Sequence, residues 1–261
     1  MTILDEIVAR TRQRLAAAPL DNEDLRRAAI ERANVREPHA FSKALRRDGI
    51  NVIAEIKSAS PSAGSIVENP DVESIARAYR DGGAAAISVV TEAEFFRGDR
   101  SWLARARAAS GLPVIMKDFV VEPAQIVEGV AAGADAMLLL ASLLDAKEIR
   151  RFIRDLEHYG CDALVEVHDE DELGRAVEGG ARLIGVNNRD LRNFNVDLAT
   201  SERLSKKMPP DVIRVAESGI REHSDVVRLR DAGFDAFLVG ESLLRQNDRT
   251  AAVRRLIRGD Q

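Results

Sequence analysis

The chain has 261 residues, 45% of them hydrophobic, enough to bury one large core or two small ones. Its net charge of −5, with 38 basic residues dispersed among 43 acidic ones, offers no general attraction for nucleic acid or an anionic membrane. A single cysteine, Cys161, excludes an internal disulfide framework and a cysteine-based metal cluster, as suits a reducing compartment.

The opening MTILDEIVAR carries acids where a signal peptide is basic, and no apolar run reaches membrane-spanning length, so a cytoplasmic protein is expected. Thr2 with Asp5 resembles a helix N-cap, and Ile3, Leu4, Ile7 and Val8 recur at helical spacing. A second helix is predicted over about 22–34, and a short third one includes Phe41, Ala44 and Leu45. No flexible linker separates these from Asn51, so residues 1–48 read as a helical extension of one domain covering 1–261.

From Asn51 the pattern becomes strand, loop, helix, repeated. Eight apolar runs stand at 52–56, 85–90, 114–116, 136–140, 163–167, 183–186, 212–216 and 236–239. The segments between them are periodic as helices, most clearly at Ile149, Phe152, Ile153 and Leu156. An internal repeat starts at Gly83, Gly133, Gly160, Gly180 and Gly233; each glycine stops a helix and precedes a turn into a strand. Eight such units predict an α/β fold, a (β/α)8 barrel with an N-terminal helical extension. A doubly wound open sheet is less favoured, since no G-x-G-x-x-G follows the first strand.

In such a barrel the chemistry belongs at the C-terminal strand ends. There the sequence puts Glu55 and Lys57, which share a face with Ile53, then Lys117 and Asp118, Glu166 and His168, Asn187 to Asp190, and Glu217 to Gly219. One strand-end charge is unremarkable; five polar ends on one rim define a site. After the last two strands, Ser218-Gly219 and Gly240-Glu241-Ser242 put small residues where a backbone can approach a phosphate. Glu241 would have to turn its side chain away and offer only its amide.

The set EIKSASPS from Glu55, Thr91-Glu92 leading to Phe96, MKDF from Met116, VEV from Val165, GVNNRDL from Gly185 and AESGI from Ala216 resembles indole-3-glycerol phosphate synthase, in order over nearly the whole chain. The resemblance implies a small-molecule substrate, 1-(2-carboxyphenylamino)-1-deoxyribulose 5-phosphate. Ring closure, decarboxylation and dehydration would convert it to indole-3-glycerol phosphate in tryptophan biosynthesis, with no cofactor and in a monomer or weak homodimer. By the same resemblance Lys117 is the general acid, Lys57 holds the substrate carboxylate and Glu166 is the base or acid of the later steps. Glu55, Asn187 and Glu217 would bind substrate hydroxyls and fix the lysines, and Arg189 would support Glu55 and the substrate. Ser60, Ser218, Gly219, Gly240 and Glu241 would hold the phosphate, and Phe96 the aromatic ring. Whether Lys57 or Glu166 serves the dehydration is left open. Ser58-Ala59 departs from the family, where two basic residues are frequent, as does Asn188, where serine is.

Other conspicuous residues have plainer readings. Asp118 has the opposite parity to Lys117 and should pair outside the barrel. His168 lies just past its strand and is expected to be a solvated loop histidine. His39, His158 and His223 show no ligand spacing, so no metal site is expected. Trp102 should start a helix as core, Cys161 should be inert packing, and Arg150, Arg151 and Arg154 should form a solvated helix face. Gly64 among small residues suggests that the loop 58–67 is a mobile lid. Two other function classes predict different residues: a non-catalytic sugar-phosphate-binding barrel predicts eroded strand-end acids and bases, and a phosphosugar isomerase predicts Asp or Cys at strands one and five. The chain has neither feature.

Overall fold

Each apolar run forms a strand, and parallel pairing carries the sheet round until the last strand meets the first. The computed structural model describes residues 3–17, 23–61, 63–190 and 194–259; Thr2 lies outside them. The strands are β1 (Asn51–Ile56), β2 (Ala86–Val90), β3 (Val114–Lys117), β4 (Ala136–Leu140), β5 (Asp162–Val167), β6 (Leu183–Asn187), β7 (Ile213–Glu217) and β8 (Ala236–Val239). Sequence neighbours pair throughout, and β8 closes on β1 with Asn51 opposite Ala236 and Ala54 opposite Val239. This is the expected (β/α)8 barrel.

The alternation along each strand separates two apolar cores. Ile53, Ile115, Leu138, Leu164, Val215 and Leu238 fill the barrel interior. Val52, Ala54, Ile56, Val89 and Val165 face outward, beneath the helices. With both faces covered, β1 is buried at every position, as parallel sheets require. The covering helices are α4 (Val72–Gly82), α5 (Trp102–Ser110), α6 (Ala124–Ala132), α7 (Ala146–His158), α8 (Glu170–Glu178), α9 (Ala199–Ser205), α10 (His223–Asp231), the short α11 (Glu241–Leu244) and α12 (Arg249–Arg258). In α7 a capping box, in which Asp145 accepts the Glu148 N–H and Glu148 accepts the Asp145 N–H, starts a helix that buries Ile149, Phe152 and Leu156. Burying three such side chains contributes roughly 1.5–3 kcal/mol each. Trp102 is core, as expected.

The repeat has a further meaning that the residues alone did not disclose. Its glycines are left-handed, φ running from 64° at Gly160 to 117° at Gly133. In three of the five units an aspartate follows two residues later, and in two of these it ties the strand bottom to its neighbour. Asp135 accepts the N–H of Val114 at the start of β3, and Asp235 that of Arg214 in β7. Asp162 instead accepts the N–H of Ser42.

That last bond anchors the extension, which comprises α1 (Ile3–Ala17), α2 (Glu23–Val35) and α3 (Ala40–Ala44). Phe41 and Leu45 plug the N-terminal end of the barrel interior. Arg32 and Arg36 donate to the carbonyls of Gly133 and Ala134, and Arg36 also reaches the Cys161 sulfur at 2.9 Å. Burial pushes the Cys161 thiol up to about 11, against the opposing pull of Arg36, so it stays protonated at neutral pH. By contrast α1 runs to the other end of the barrel, where Ile3, Leu4 and Ile7 line the mouth.

Candidate active site

A cavity of about 550 Å³ opens at the C-terminal ends of the strands. Every residue assigned to the site from sequence lies on its wall: Glu55, Lys57, Ser60, Phe96, Lys117, Glu166, Asn187, Arg189, Glu217, Ser218, Gly219, Gly240 and Glu241. Alternation explains why. On β1, β3, β5 and β7 an inward position near the strand end carries the polar group, above inward Ile53, Ile115, Leu164 and Val215.

Lys117 sits between two carboxylates, its Nζ donating to Glu217 Oε2 at 2.7 Å and to Glu166 Oε2 at 3.0 Å. Burial by itself would lower the ammonium, but Glu166, Glu217 and Glu55 outweigh it and hold it above the usual lysine range. The two carboxylates are unequal. Glu166 also accepts from Asn187 Nδ2 at 3.0 Å and lies near the His168 ring. Against the burial that would raise it, Lys117 and His168 hold Glu166 down to about 2. Glu217 accepts from Lys117 and lies against Glu166, and its Oε1 is buried with no hydrogen-bond partner among the described residues. Burial pushes it up to about 8, with repulsion from Glu166 adding to that against the pull of Lys117. Their surroundings therefore push the two apart, Glu166 towards the ionised form and Glu217 towards the protonated one. Across the cavity Lys57 and Glu55 pair at 2.6 Å.

Two glycines make room for these charges. A Cβ at Gly185 would fall 2.1 Å from Glu217 Oε1, and one at Gly240 would fall 2.4 Å from Glu55 Oε1 and 3.0 Å from Lys57 Nζ. Such clearances depend on cross-strand neighbours and carry no sequence signal beyond the glycine itself. Gly240 was expected to serve a phosphate; it also admits the Glu55–Lys57 pair.

The rest of the wall divides into an apolar part and a polar part. Phe96 and Phe119 lie 6.0 Å apart at 43°, beside Leu138 and Leu140. The buried Glu92 carboxylate takes the N–H groups of Glu94, Phe95 and Phe96, fixing that loop. At the other end, Ser218 and Gly219 are successive left-handed residues, φ 63° and 84°, which turn the chain sharply after β7. Glu241 turns its carboxylate away to Arg245 at 2.9 Å. Ser60 lies in a hairpin, Ala59–Ser60 against Gly64–Ser65, that folds the loop after β1 over the rim.

The sequence readings of His168 and Arg189 need correction. His168 is not a solvated loop residue: its side chain is 14% exposed, and its ring lies between Glu172 Oε2 at 3.0 Å and Glu166 Oε1 at 3.5 Å. The inward period of β5 extends one position past the strand, because α8 is capped only at Asp169. The i,i+4 spacing of His168 and Glu172 was the signal available. Arg189 meets the carbonyl of Phe194, and Glu55 is held by Lys57 instead. Asp118 accepts the Thr91 hydroxyl at 2.7 Å and joins the ends of β2 and β3, a structural role. Likewise Asn188 ties the carbonyl of Glu217 to Ser201. Among the described residues no group of three or more His, Cys, Asp or Glu is arranged to hold a metal ion.

Fold and site together define a (β/α)8-barrel enzyme whose acid–base groups converge from the strand ends on a half-apolar cavity. The model of the indole-3-glycerol phosphate synthase family matches residues 4–256, and the chain belongs to that family. It is 46% identical over 230 residues to the indole-3-glycerol phosphate synthase of Koribacter versatilis, covering 87% of this chain and 88% of that one. It is 43% identical over 260 residues to that of Acetivibrio thermocellus, covering 97% and 98%. Solved structures share the fold at low identity. A 3-hexulose-6-phosphate synthase from Salmonella typhimurium aligns with a TM-score of 0.63 at 16% identity, over 79% of this chain and 96% of that one. The activity is that of the family, a carboxy-lyase reaction forming indole-3-glycerol phosphate in tryptophan biosynthesis.

Proposed function

We propose that the cavity carries this conversion with Lys117 as proton donor and Glu166 as proton acceptor. The observation that supports the reading best is Lys117 held between two buried carboxylates on β5 and β7. The aromatic carbon bearing the carboxylate attacks the ketone carbon, and the carbonyl electrons move to oxygen. Lys117, kept charged by its neighbours, protonates that oxygen; an alkoxide is a stronger base than an amine, so the transfer is downhill. Such a positioned acid is worth about 10²–10⁴ in rate. Loss of CO₂ returns the bond electrons to the ring system. The new hydroxyl leaves as water, taking its second proton from Lys57, which faces the cavity, as ionised Glu166 removes the proton from the carbon beside nitrogen and completes the indole.

Lys57 faces the cavity beside Glu55 and is suited to hold the substrate carboxylate until it leaves. Glu217 and Asn187 orient Lys117 and Glu166 and offer polar atoms to the sugar hydroxyls. Phe96 packs the anthranilate ring, and Arg189 closes one wall. Ser60, Ser218, Gly219, Gly240 and the Glu241 amide take the phosphate. Binding at both substrate ends orients the middle for reaction, an effect that removes much of the entropic barrier.

Among the described residues the large exposed apolar side chains are Ile30, Val35, Val177 and Val196, which favours a monomer or weak homodimer. No helix among the described residues is long and apolar enough to cross a membrane. With a free buried cysteine, this favours a cytoplasmic enzyme. The test is incubation with 1-(2-carboxyphenylamino)-1-deoxyribulose 5-phosphate while following indole fluorescence. Folded protein that gives no signal would defeat the reading.

A further inference from the structure

We propose that His168, held by Glu172, is a positioning residue for Glu166, and that its ring keeps that carboxylate ionised and aimed while Lys117 is engaged with substrate. The inference rests on the role given to Glu166 above. Its starting point is local. Asp169 caps α8 by accepting the N–H of Glu172, which puts the Glu172 side chain one turn into the helix and facing back. Its Oε2 then takes two contacts from His168, the backbone N–H at 2.8 Å and ring Nδ1 at 3.0 Å. The ring cannot rotate without losing that bond.

The consequence lies at the other nitrogen. His168 Nε2 is buried, lacks a hydrogen-bond partner among the described residues, and faces Glu166 Oε1 at 3.5 Å. A bare Nε2 would oppose a carboxylate lone pair, whereas a protonated one is attracted to it. The facing charges are Glu172 from α8, Glu166 on β5 and, further off, Glu217 from β7. Lys117 lies on the far oxygen of Glu166. Burial would lower the imidazole, but the Glu172 hydrogen bond and the three carboxylates raise it above its ordinary value, favouring the doubly protonated ring.

Division of labour around Glu166 then follows. Oε2 belongs to Lys117, while Oε1 belongs to Asn187 and His168. When Lys117 turns to the substrate oxygen and gives up its proton, Glu166 loses its nearest cation. His168 remains as the countercharge, so Glu166 is still an ionised base when the later steps need it.

The test compares His168→Ala, His168→Gln, Glu172→Gln and Glu166→Gln in the full chain, by kcat, KM, pH profile and thermal unfolding. His168→Ala should lower kcat by about 10²-fold with KM little changed, the scale of a misplaced catalytic group. Its acidic limb should move to higher pH, because Glu166 has lost a cation. His168→Gln, whose amide can still donate to Oε1, should recover part of kcat. Glu172→Gln lowers the pKa of His168, so its alkaline loss of activity should begin at lower pH. A kcat that falls only in step with stability, with unshifted limbs, or that stays wild-type in His168→Ala while Glu166→Gln is inactive, would overturn the positioning role alone. Wild-type turnover in Glu166→Gln would instead overturn the assignment beneath it.

Discussion

Both ends of the barrel bury charge, yet they do so in opposite ways. At the floor, Asp135 gives one oxygen to the Val114 N–H and Arg107, while Asp162 binds the Ser42 N–H and His39. There the charges hold backbone in place. At the mouth, Lys117, Glu166 and Glu217 bond chiefly to one another, as do Glu55 and Lys57. Buried charges that serve the backbone stabilise a fold; buried charges that serve only each other are costly unless a ligand uses them. The difference separates scaffold from chemistry without reference to relatives.

The contrast can be broken from either side. The largest effect is expected from Lys117→Met, which should retain the far-ultraviolet circular dichroism of the wild type but lose about 10²–10⁴ in kcat. Near-wild-type turnover would sink Lys117 as the acid. Next, Gly185→Ala brings a methyl into the space of the Glu217 carboxylate and should lower kcat by about 10²-fold, measured against an unchanged circular dichroism spectrum. At the floor the same logic predicts the reverse outcome. Asp135→Ala strands Arg107 and the Val114 N–H and should cost about 3 kcal/mol in a denaturant titration, with turnover per folded molecule preserved. An equal loss of kcat in that variant would erase the distinction between floor and mouth.

The smallest effect is a pH dependence. The folded pKa of Glu217, about 8, lies above its ordinary 4.5, so the folded state holds a proton that the unfolded chain releases. The stabilisation is complete below about pH 4.5 and declines as pH rises towards 8. Glu217→Gln should flatten that decline in urea titrations taken across the window. A slope unchanged from wild type would move the proton to another group.

Much of this was legible beforehand, for definite reasons. Strands buried on both faces read as continuous apolar runs, and strict alternation brought Glu55, Lys57, Lys117, Glu166 and Glu217 to one rim. His168 obeys the same alternation one position beyond the end of β5, where a solvated loop was expected and α8 is capped only at Asp169. What remained hidden depends on partners distant in the chain. Helical spacing identified the apolar stripe of α1 but not that Ile3, Leu4 and Ile7 would roof the cavity. The partner of Arg189 and the clearances at Gly185 and Gly240 required the neighbouring backbone.

The seam between β1 and β8 bears on how the molecule is made. Asn51 through Ala54 pair with Ala236 through Val239, so the first strand waits for the last before the ring shuts. Contacts of such separation form slowly, because loop closure precedes any gain from them. Gly240 lies directly beyond that seam, against Glu55 and Lys57. Until β8 docks, those two side chains are exposed to water on that side, and their desolvation falls at the closing step of folding. On a ribosome, the opening strand would therefore emerge early and stay wet through nearly the whole of synthesis, its charges acting as a guard against premature association of an unpaired edge.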